Sequence, residues 1–175
     1  MKKMVTIIKA DREVIISVKP KYAELILNGH KQVELRKVLW ANTITERPSK
    51  IWVYSSGTSV HKYANISKKL IGVIVDYTLD YQTPDELWRR YEYQTGITKV
   101  EFNSYYAKKT AGYAIFINKF SRLSPIESPL KKWPGFHSPQ NFCYVTPELL
   151  IDPTTVLPPK EEEPISKGEE NDPTN

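Results

Sequence analysis

Short segments in which apolar and polar residues alternate are the feature that most restricts the fold of this chain. In residues 13–19, the side chains of Val14, Ile16 and Val18 share one face, which is typical of a β-strand with one buried face. Similar alternation predicts strands at 31–36 and 112–120. A strand at 51–55 is predicted from its β-forming residues, a central buried strand at 70–77 from apolar residues on both faces, and a last short strand at 142–145. The sequence has no glycine-rich strand-to-helix turn and no regular strand–helix alternation, which argues against a doubly wound α/β fold. We therefore expect an α+β fold, a small mixed β-barrel with short helices packed at its ends.

Three short helices are predicted between these strands. Pro20 suits the first position of a helix, and Gly29 suits the left-handed residue at its end. A second helix is predicted after Thr83 and a third after Thr98, because each threonine is followed three residues later by a glutamate that completes a capping box.

The charge is divided unevenly along the 175 residues. Residues 151–175 carry seven acidic and two basic side chains, so the first 150 residues carry 13 acidic and 23 basic ones. We expect an N-terminal extension (1–12), one folded domain (13–150) and an acidic, proline-rich tail (151–175) that is too poor in apolar residues to fold. The basic domain has two interpretations, a well-solvated surface or attraction to the phosphates of a nucleic acid.

Several classes of protein are excluded by what the sequence lacks. Its longest apolar runs, such as 70–75, are far shorter than the roughly 20 residues of a membrane helix, and the N-terminus does not resemble a secretory signal. A single cysteine, Cys143, forms no internal disulfide, and the spacing of the histidines around it is not that of metal ligands. We expect a cytoplasmic protein without membrane contact, metal or other cofactor; no protein partner is indicated.

The densest cluster of charged residues follows the first predicted helix. Glu34 and Arg36 are two residues apart on a predicted strand, so their side chains leave the same face, and Lys31 comes just after the Gly29 turn. An acid and a base in this arrangement hold each other in place and present a fixed fork to a ligand. The alternative is a surface strand with an ordinary ion pair.

The residues from Ile16 to Arg36 closely resemble the opening of ASCH domains, a branch of the PUA-like superfamily. The signature of that family is a glycine, any residue, a lysine, two residues, a glutamate, any residue and an arginine, and here Gly29, Lys31, Glu34 and Arg36 match it. The last similar block, 138–145, resembles the closing motif of stand-alone bacterial and phage members. The other blocks follow in the family's order at 51–56, 70–75, 85–88, 96–98, 102–106 and 111–115, so the resemblance covers nearly all of 13–150.

The resemblance implies a PUA-like β-barrel with a cleft beside the first helix, and a module that binds RNA, or another nucleic acid or nucleotide, in a regulatory role. Lysine and arginine in the cleft would contact phosphate, Glu34 would accept a hydrogen bond from a base amino group, and Tyr54 and Phe142 would stack on an unpaired base. The positions that match the cleft are Ser17, Lys19, Lys31, Glu34, Arg36, Tyr54, Ser55, Ser56, Gln140 and Phe142.

The remaining aromatic residues divide by their predicted surroundings. Those at periodic positions in strands and helices are expected in or near the core: Trp52, Trp88, Tyr105 and Tyr113. Those in predicted loops are expected to be exposed for binding: Trp40, Tyr63, Trp133 and Phe136.

An enzyme is the alternative function. Some ASCH proteins are amidohydrolases that act on an acylated cytosine nucleoside, and others are described as ribonucleases. The amidohydrolase pattern places a threonine nucleophile three residues after the lysine, and that position is Glu34 here. A metal-independent ribonuclease would instead use Lys31 and Glu34 as its acid–base pair. The sequence therefore favours binding without catalysis.

Overall fold

The computed structural model describes residues 8–40, 46–57 and 60–150, and its elements follow the predicted order. The first strand begins at Ile8, earlier than predicted. The prediction started at residue 13 because an irregularity in the pairing between Ala10 and Glu13 interrupts the alternation on which it relied. The predicted tail (151–175) and residues 1–7 lie outside the described residues. The strands are β1 (Ile8–Val18), β2 (Val33–Arg36), β3 (Glu46–Ser55), β4 (Lys69–Gln82), β5 (Gly112–Glu127) and β6 (Phe142–Tyr144), and the helices are α1 (Pro20–Leu27), α2 (Pro84–Tyr91) and α3 (Lys99–Tyr105).

The six strands form one curled half-barrel in the order β2-β5-β4-β3-β1-β6. Strands β1 and β3 run parallel, whereas the four other pairings in that order are antiparallel. The predicted α+β class with a mixed sheet is therefore confirmed. The strands at the two ends of this order, β2 and β6, are far apart in sequence. The cavity described below is lined by residues of β2 and of the segment that precedes β6.

Both faces of the central strands are buried, as β3 illustrates. Ile51 and Val53 point into the main core, while Trp52 and Tyr54 point to the opposite face and pack there in a second core cluster. A third cluster joins β2 to α3 through Val33, Leu35, Phe102 and Tyr106. The sheet is thus fixed from both sides, which makes it a rigid support for the residues at its edges.

The prediction that the loop aromatics are exposed was wrong for Trp40, Trp133 and Phe136. All three are buried, with 2 to 7% of their surface exposed. The segment after β5 folds back over the outer face of the sheet, so that the ring of Trp133 meets that of Trp52 edge-on at 5.2 Å. Trp40 packs edge-on against Tyr77 and against Phe142 in the main core. Burial of such large rings stabilises the fold by a few kcal/mol each, about 3–5 kcal/mol in truncation experiments.

The helix starts predicted from the capping residues are confirmed. The Thr83 side chain accepts a hydrogen bond from the Glu86 N–H at the start of α2, and Thr98 and Glu101 form a full capping box at the start of α3. Gly29 has a φ of +79°, the left-handed conformation expected where α1 ends. No helix in the described ranges is long and apolar enough to cross a membrane.

Candidate functional site

A cavity of about 1000 Å³ lies beside α1, where the end of β1, most of β2, α3 and the segment before β6 meet. Its volume is at the upper end of the range of roughly 300–1,000 Å³ that is typical of ligand sites. Four cations and two carboxylates line it, so its walls carry a net positive charge. The lining residues are Ser17, Val18, Lys19, Tyr22, Lys31, Glu34, Leu35, Arg36, Lys37, Val38, Ser56, Ile97, Val100, Glu101, Ser104, Tyr105, Ser138, Pro139, Gln140 and Asn141.

Three charged side chains form the floor of this cavity, and we refer to Lys31, Glu34 and Arg36 as the charged cluster. Glu34 lies between the two cations: one carboxylate oxygen is 3.4 Å from Lys31 Nζ and the other is 3.0 Å from Arg36 Nε. The three side chains are only 2, 11 and 7% exposed. Burial lowers the pKa of Lys31, and the adjacent Glu34 carboxylate opposes that shift. The ordinary surface ion pair that the sequence left open is therefore not what these residues form.

The Lys31 ammonium is enclosed by groups of the protein. It donates a hydrogen bond to the Thr95 carbonyl at 2.5 Å and lies 5.4 Å from the centre of the Tyr22 ring. Gly96 allows the backbone to approach so closely, because it has a φ of +67° and a Cβ there would lie 2.8 Å from the Leu25 side chain. Lys31 therefore holds the loop before α3 against the end of α1.

The Arg36 guanidinium connects the two ends of the sheet. From β2 it donates to the carbonyl of Ser17 at 2.7 Å and to both the side-chain oxygen and the carbonyl of Asn141, at 2.7 and 3.2 Å. Ser17 is in β1 and Asn141 immediately precedes β6, so one side chain bridges the gap between the first and last strands of the order. A planar fork of donors is suited to such a multiple contact, which an ammonium group cannot reproduce.

Seven of the ten residues predicted for the cleft line the cavity: Ser17, Lys19, Lys31, Glu34, Arg36, Ser56 and Gln140. The other three, Tyr54, Ser55 and Phe142, are not among its lining residues. The Tyr54 ring packs against Phe136 at 4.9 Å on the outer face of the sheet, Ser55 is fully buried, and Phe142 packs against Trp40. The two aromatic residues proposed to stack on a base are thus used in packing. Lys31 Nζ and the two terminal nitrogens of Arg36, proposed as phosphate contacts, donate hydrogen bonds to oxygens of the protein.

Sequence reasoning did not single out Tyr22, Lys37, Tyr105 or Asn141 for the site. Tyr105 was expected in or near the core, but it is 36% exposed and lines the cavity. On α3 it adjoins the buried stripe that Phe102 and Tyr106 form at a spacing of four, which places it at the border between core and solvent. Lys37 directly follows the family motif, and that position is the signal that could have identified it.

Glu101 closes one side of the cavity by joining α3 to α1. One carboxylate oxygen accepts from Lys21 Nζ at 2.8 Å and from the Tyr22 hydroxyl at 3.2 Å, while the other accepts from the Thr98 backbone N–H at 2.7 Å. The hydrogen bond from Lys21, reinforced by those from Thr98, lowers the pKa of Glu101 to about 2.

This shift predicts a specific effect of acid on stability. A carboxylate whose pKa is lower in the folded than in the unfolded chain stabilises the fold above its unfolded pKa, near 4.5, and the stabilisation is lost as the pH falls towards 2. We expect the Glu101→Gln variant to be less stable than the parent at pH 7 and the difference to shrink between pH 4.5 and 2. Urea unfolding at several pH values measures this. A difference that does not change with pH would contradict it.

The fold resembles crystal structures of an ASCH protein from Zymomonas mobilis. A serine-to-alanine mutant of that protein, ZmASCH, aligns with a TM-score of 0.63 and 20% sequence identity, over 81% of this chain and 94% of that one. Another structure of ASCH from the same organism aligns with a TM-score of 0.61 and 21% sequence identity, over 78% of this chain and 90% of that one. No protein-family model and no curated protein matches the chain. The predicted ASCH-type fold is therefore confirmed.

Proposed function

From the ASCH-type fold and the charged cavity, we propose that this chain is a cytoplasmic RNA-binding module that takes an unpaired nucleotide beside α1. The observation that carries the proposal is the position of Glu34, a nearly buried carboxylate on the floor of a large, net positive cavity. Proteins that read RNA by sequence bind bases that are unpaired and open to contact along their edges. A cavity with a fixed acceptor at its floor suits such a base.

Glu34 has the properties of a base-reading group. Lys31 and Arg36 hold its two oxygens from the protein side, which fixes the carboxylate in one orientation. Each carboxylate oxygen has more than one acceptor site, so an oxygen that is already paired still accepts a hydrogen bond from a base amino group. Cytosine, adenine and guanine carry such groups, whereas uracil does not. Glu34 therefore favours bases with an exocyclic amino group.

The phosphates are best placed at the rim of the cavity. Lys19 and Lys37 line it and are exposed, whereas the cations of the charged cluster are buried and directed to protein oxygens. We therefore assign the phosphate contacts to Lys19 and Lys37 and give Lys31 and Arg36 the role of positioning Glu34. Contacts of this kind make affinity fall with salt concentration.

Fluorescence anisotropy with four RNA homopolymers, over a range of salt concentrations, tests the proposal. We expect binding that weakens linearly on a log–log plot against salt, with polyuridylate bound least. The Lys19→Ala variant should weaken all four polymers equally and reduce the slope by roughly 0.7, the value for one phosphate on a single strand. Lys119→Ala, an exposed lysine of β5 that does not line the cavity, is the matched control and should change the slope less.

Three outcomes would count against the proposal. Equal effects of Lys19→Ala and Lys119→Ala would show that the cavity is not the site, and tighter binding of the matching DNA polymers would show that the ligand is not RNA. Cleavage of the RNA during the titration, in the presence of a chelator and abolished by Glu34→Ala, would favour the ribonuclease alternative.

A further inference from the structure

We propose that Tyr105 and Lys37 form a second base position at the mouth of the cavity, so that the ligand is a single-stranded RNA of at least two nucleotides. This inference rests on the proposed function and extends it. The first base lies on Glu34, and its neighbour stacks on the Tyr105 ring. A free mononucleotide would occupy the first position alone.

Tyr105 is held as a rigid platform. Its ring packs edge-on against the buried Tyr106, with centroids 4.9 Å apart and an interplanar angle of 81°. Its hydroxyl accepts a hydrogen bond from the Lys37 backbone N–H at 3.2 Å. The ring is thus fixed at two points and still 36% exposed in the cavity wall. A fixed aromatic surface binds a base of any identity, because every base has a stacking face.

Lys37 covers the face of this platform. Its ammonium lies 4.6 Å from the ring centroid, within the distance of a cation–π contact. At an exposed site such a contact is weaker than the stacking of a base on the same ring. A base therefore displaces the ammonium, which then reaches the adjoining phosphate. The residue that covers the platform becomes the phosphate contact when RNA binds.

The shape of the cavity fits two nucleotides better than one. Its volume of about 1000 Å³ exceeds what one base on Glu34 requires, and exposed apolar side chains line it beside the exposed Lys19 and Lys37. Val38 and Val100 line it with 53 and 79% of their surface exposed, and they offer contact area to the flat face of a base. The charged cluster on the floor and the exposed side chains of Tyr105, Val38 and Val100 thus provide two separate positions for bases.

Competition experiments against a labelled octanucleotide distinguish the two positions. The competitors are adenosine monophosphate and adenylate oligonucleotides of two and four residues, tested on the parent chain and on Tyr105→Ala and Tyr105→Phe. For the parent, we expect the dinucleotide to bind more tightly than the mononucleotide. Tyr105→Ala should lose about ten-fold in affinity for the oligonucleotides, with the mononucleotide unchanged, and Tyr105→Phe should keep the parental affinities.

Lys37 provides an independent signature. Lys37→Ala should bind the tetranucleotide more weakly than the parent at low salt, where the phosphate contact counts, and at least as tightly at high salt, where the uncovered ring remains. Lys99→Ala is the matched control. Lys99, on α3, also has its ammonium over an aromatic ring, at 4.7 Å from that of Trp88 on α2, but it does not line the cavity. The Lys99→Ala variant should not show this crossing of the two salt curves.

The results separate failure of this inference from failure of the proposed function. Two results for Tyr105→Ala would overturn the second position. One is an equal loss of affinity for the mononucleotide and the oligonucleotides. The other is no loss of affinity for any competitor, while Lys19→Ala still lowers the dependence of affinity on salt. If the parent chain binds none of the competitors, or no octanucleotide, the proposed function itself is wrong.

Discussion

Replacing Arg36 by alanine should lower the free energy of unfolding by about 3–5 kcal/mol, one of the two largest effects expected of any single change in the site. The substitution removes the hydrogen bonds that Arg36 donates to the Ser17 carbonyl and to the Asn141 side-chain oxygen, and it takes one of two cations from Glu34. The Asn141 carbonyl also loses a donor but keeps its hydrogen bond from the Ser17 N–H. The substitution also removes the side chain that joins β2 to the strands at the other end of the sheet. Urea unfolding followed by circular dichroism measures the change.

Arg36→Lys separates charge from geometry in the same experiment. Lysine keeps the positive charge beside Glu34, but one ammonium cannot reproduce the contacts of the guanidinium to Ser17 and Asn141, so most of the loss should remain. Arg89→Ala is the control, because Arg89 also pairs with a carboxylate but its side chain is 73% exposed, and such pairs contribute little. If Arg36→Lys is as stable as the parent, only the positive charge beside Glu34 contributes to stability, and the bridge across the sheet does not.

The charged cluster therefore links the fold to the site. Arg36 bridges the two ends of the half-barrel, and it also holds Glu34 in the orientation that a base would meet. A group that must be held within a fraction of an ångström is best supported by side chains that are themselves locked by packing. In this chain the support is provided by buried ions, so we expect a change in the charged cluster to lower the stability of the fold as well.

The strands and the helix starts could be predicted from the sequence because the signals for them are local. The alternation in 13–19, the β-forming residues of 51–55 and the capping residues Thr83 and Thr98 are signals within a few neighbouring residues. The resemblance to ASCH domains likewise grouped Ser17, Lys19 and the charged cluster in one predicted cleft. These residues line the cavity of the structure.

What the sequence did not reveal depends on contacts between distant segments. Trp133 and Phe136 are in a proline-rich loop, and only its return over the outer face of the sheet buries them. Tyr54 was placed in the site by its motif position, but strand alternation turns its side chain away from the cavity, whereas Ser56, two residues on and beyond the end of β3, lines it. The acceptor of the Lys31 ammonium, the carbonyl of Thr95, is 64 residues away in the chain. No local pattern encodes such partners.

Glu34→Gln should be as destabilising as the loss of Arg36, again by about 3–5 kcal/mol, because it leaves two buried cations without their counter-charge. Glutamine has nearly the same shape as glutamate, so the loss reports on charge and not on packing. Adding Lys31→Met removes one of the uncompensated cations, and the double variant should be more stable than Glu34→Gln alone. Urea unfolding of the four members of this cycle measures the coupling.

Two further comparisons make the prediction specific to the buried site. Glu86→Gln is the matched control, since Glu86 on α2 also lies between two cations, Arg89 and Arg90, but in solvent, where its loss should have a much smaller effect. RNA titrations are made under conditions where Glu34→Gln is folded. The variant should then lose discrimination between polymers with and without a base amino group. Its overall affinity should be kept or increased, because a negative charge has been removed from the cavity. Loss of stability with discrimination unchanged would restrict Glu34 to neutralising Lys31 and Arg36, and the reading of the base would then have to come from another lining residue.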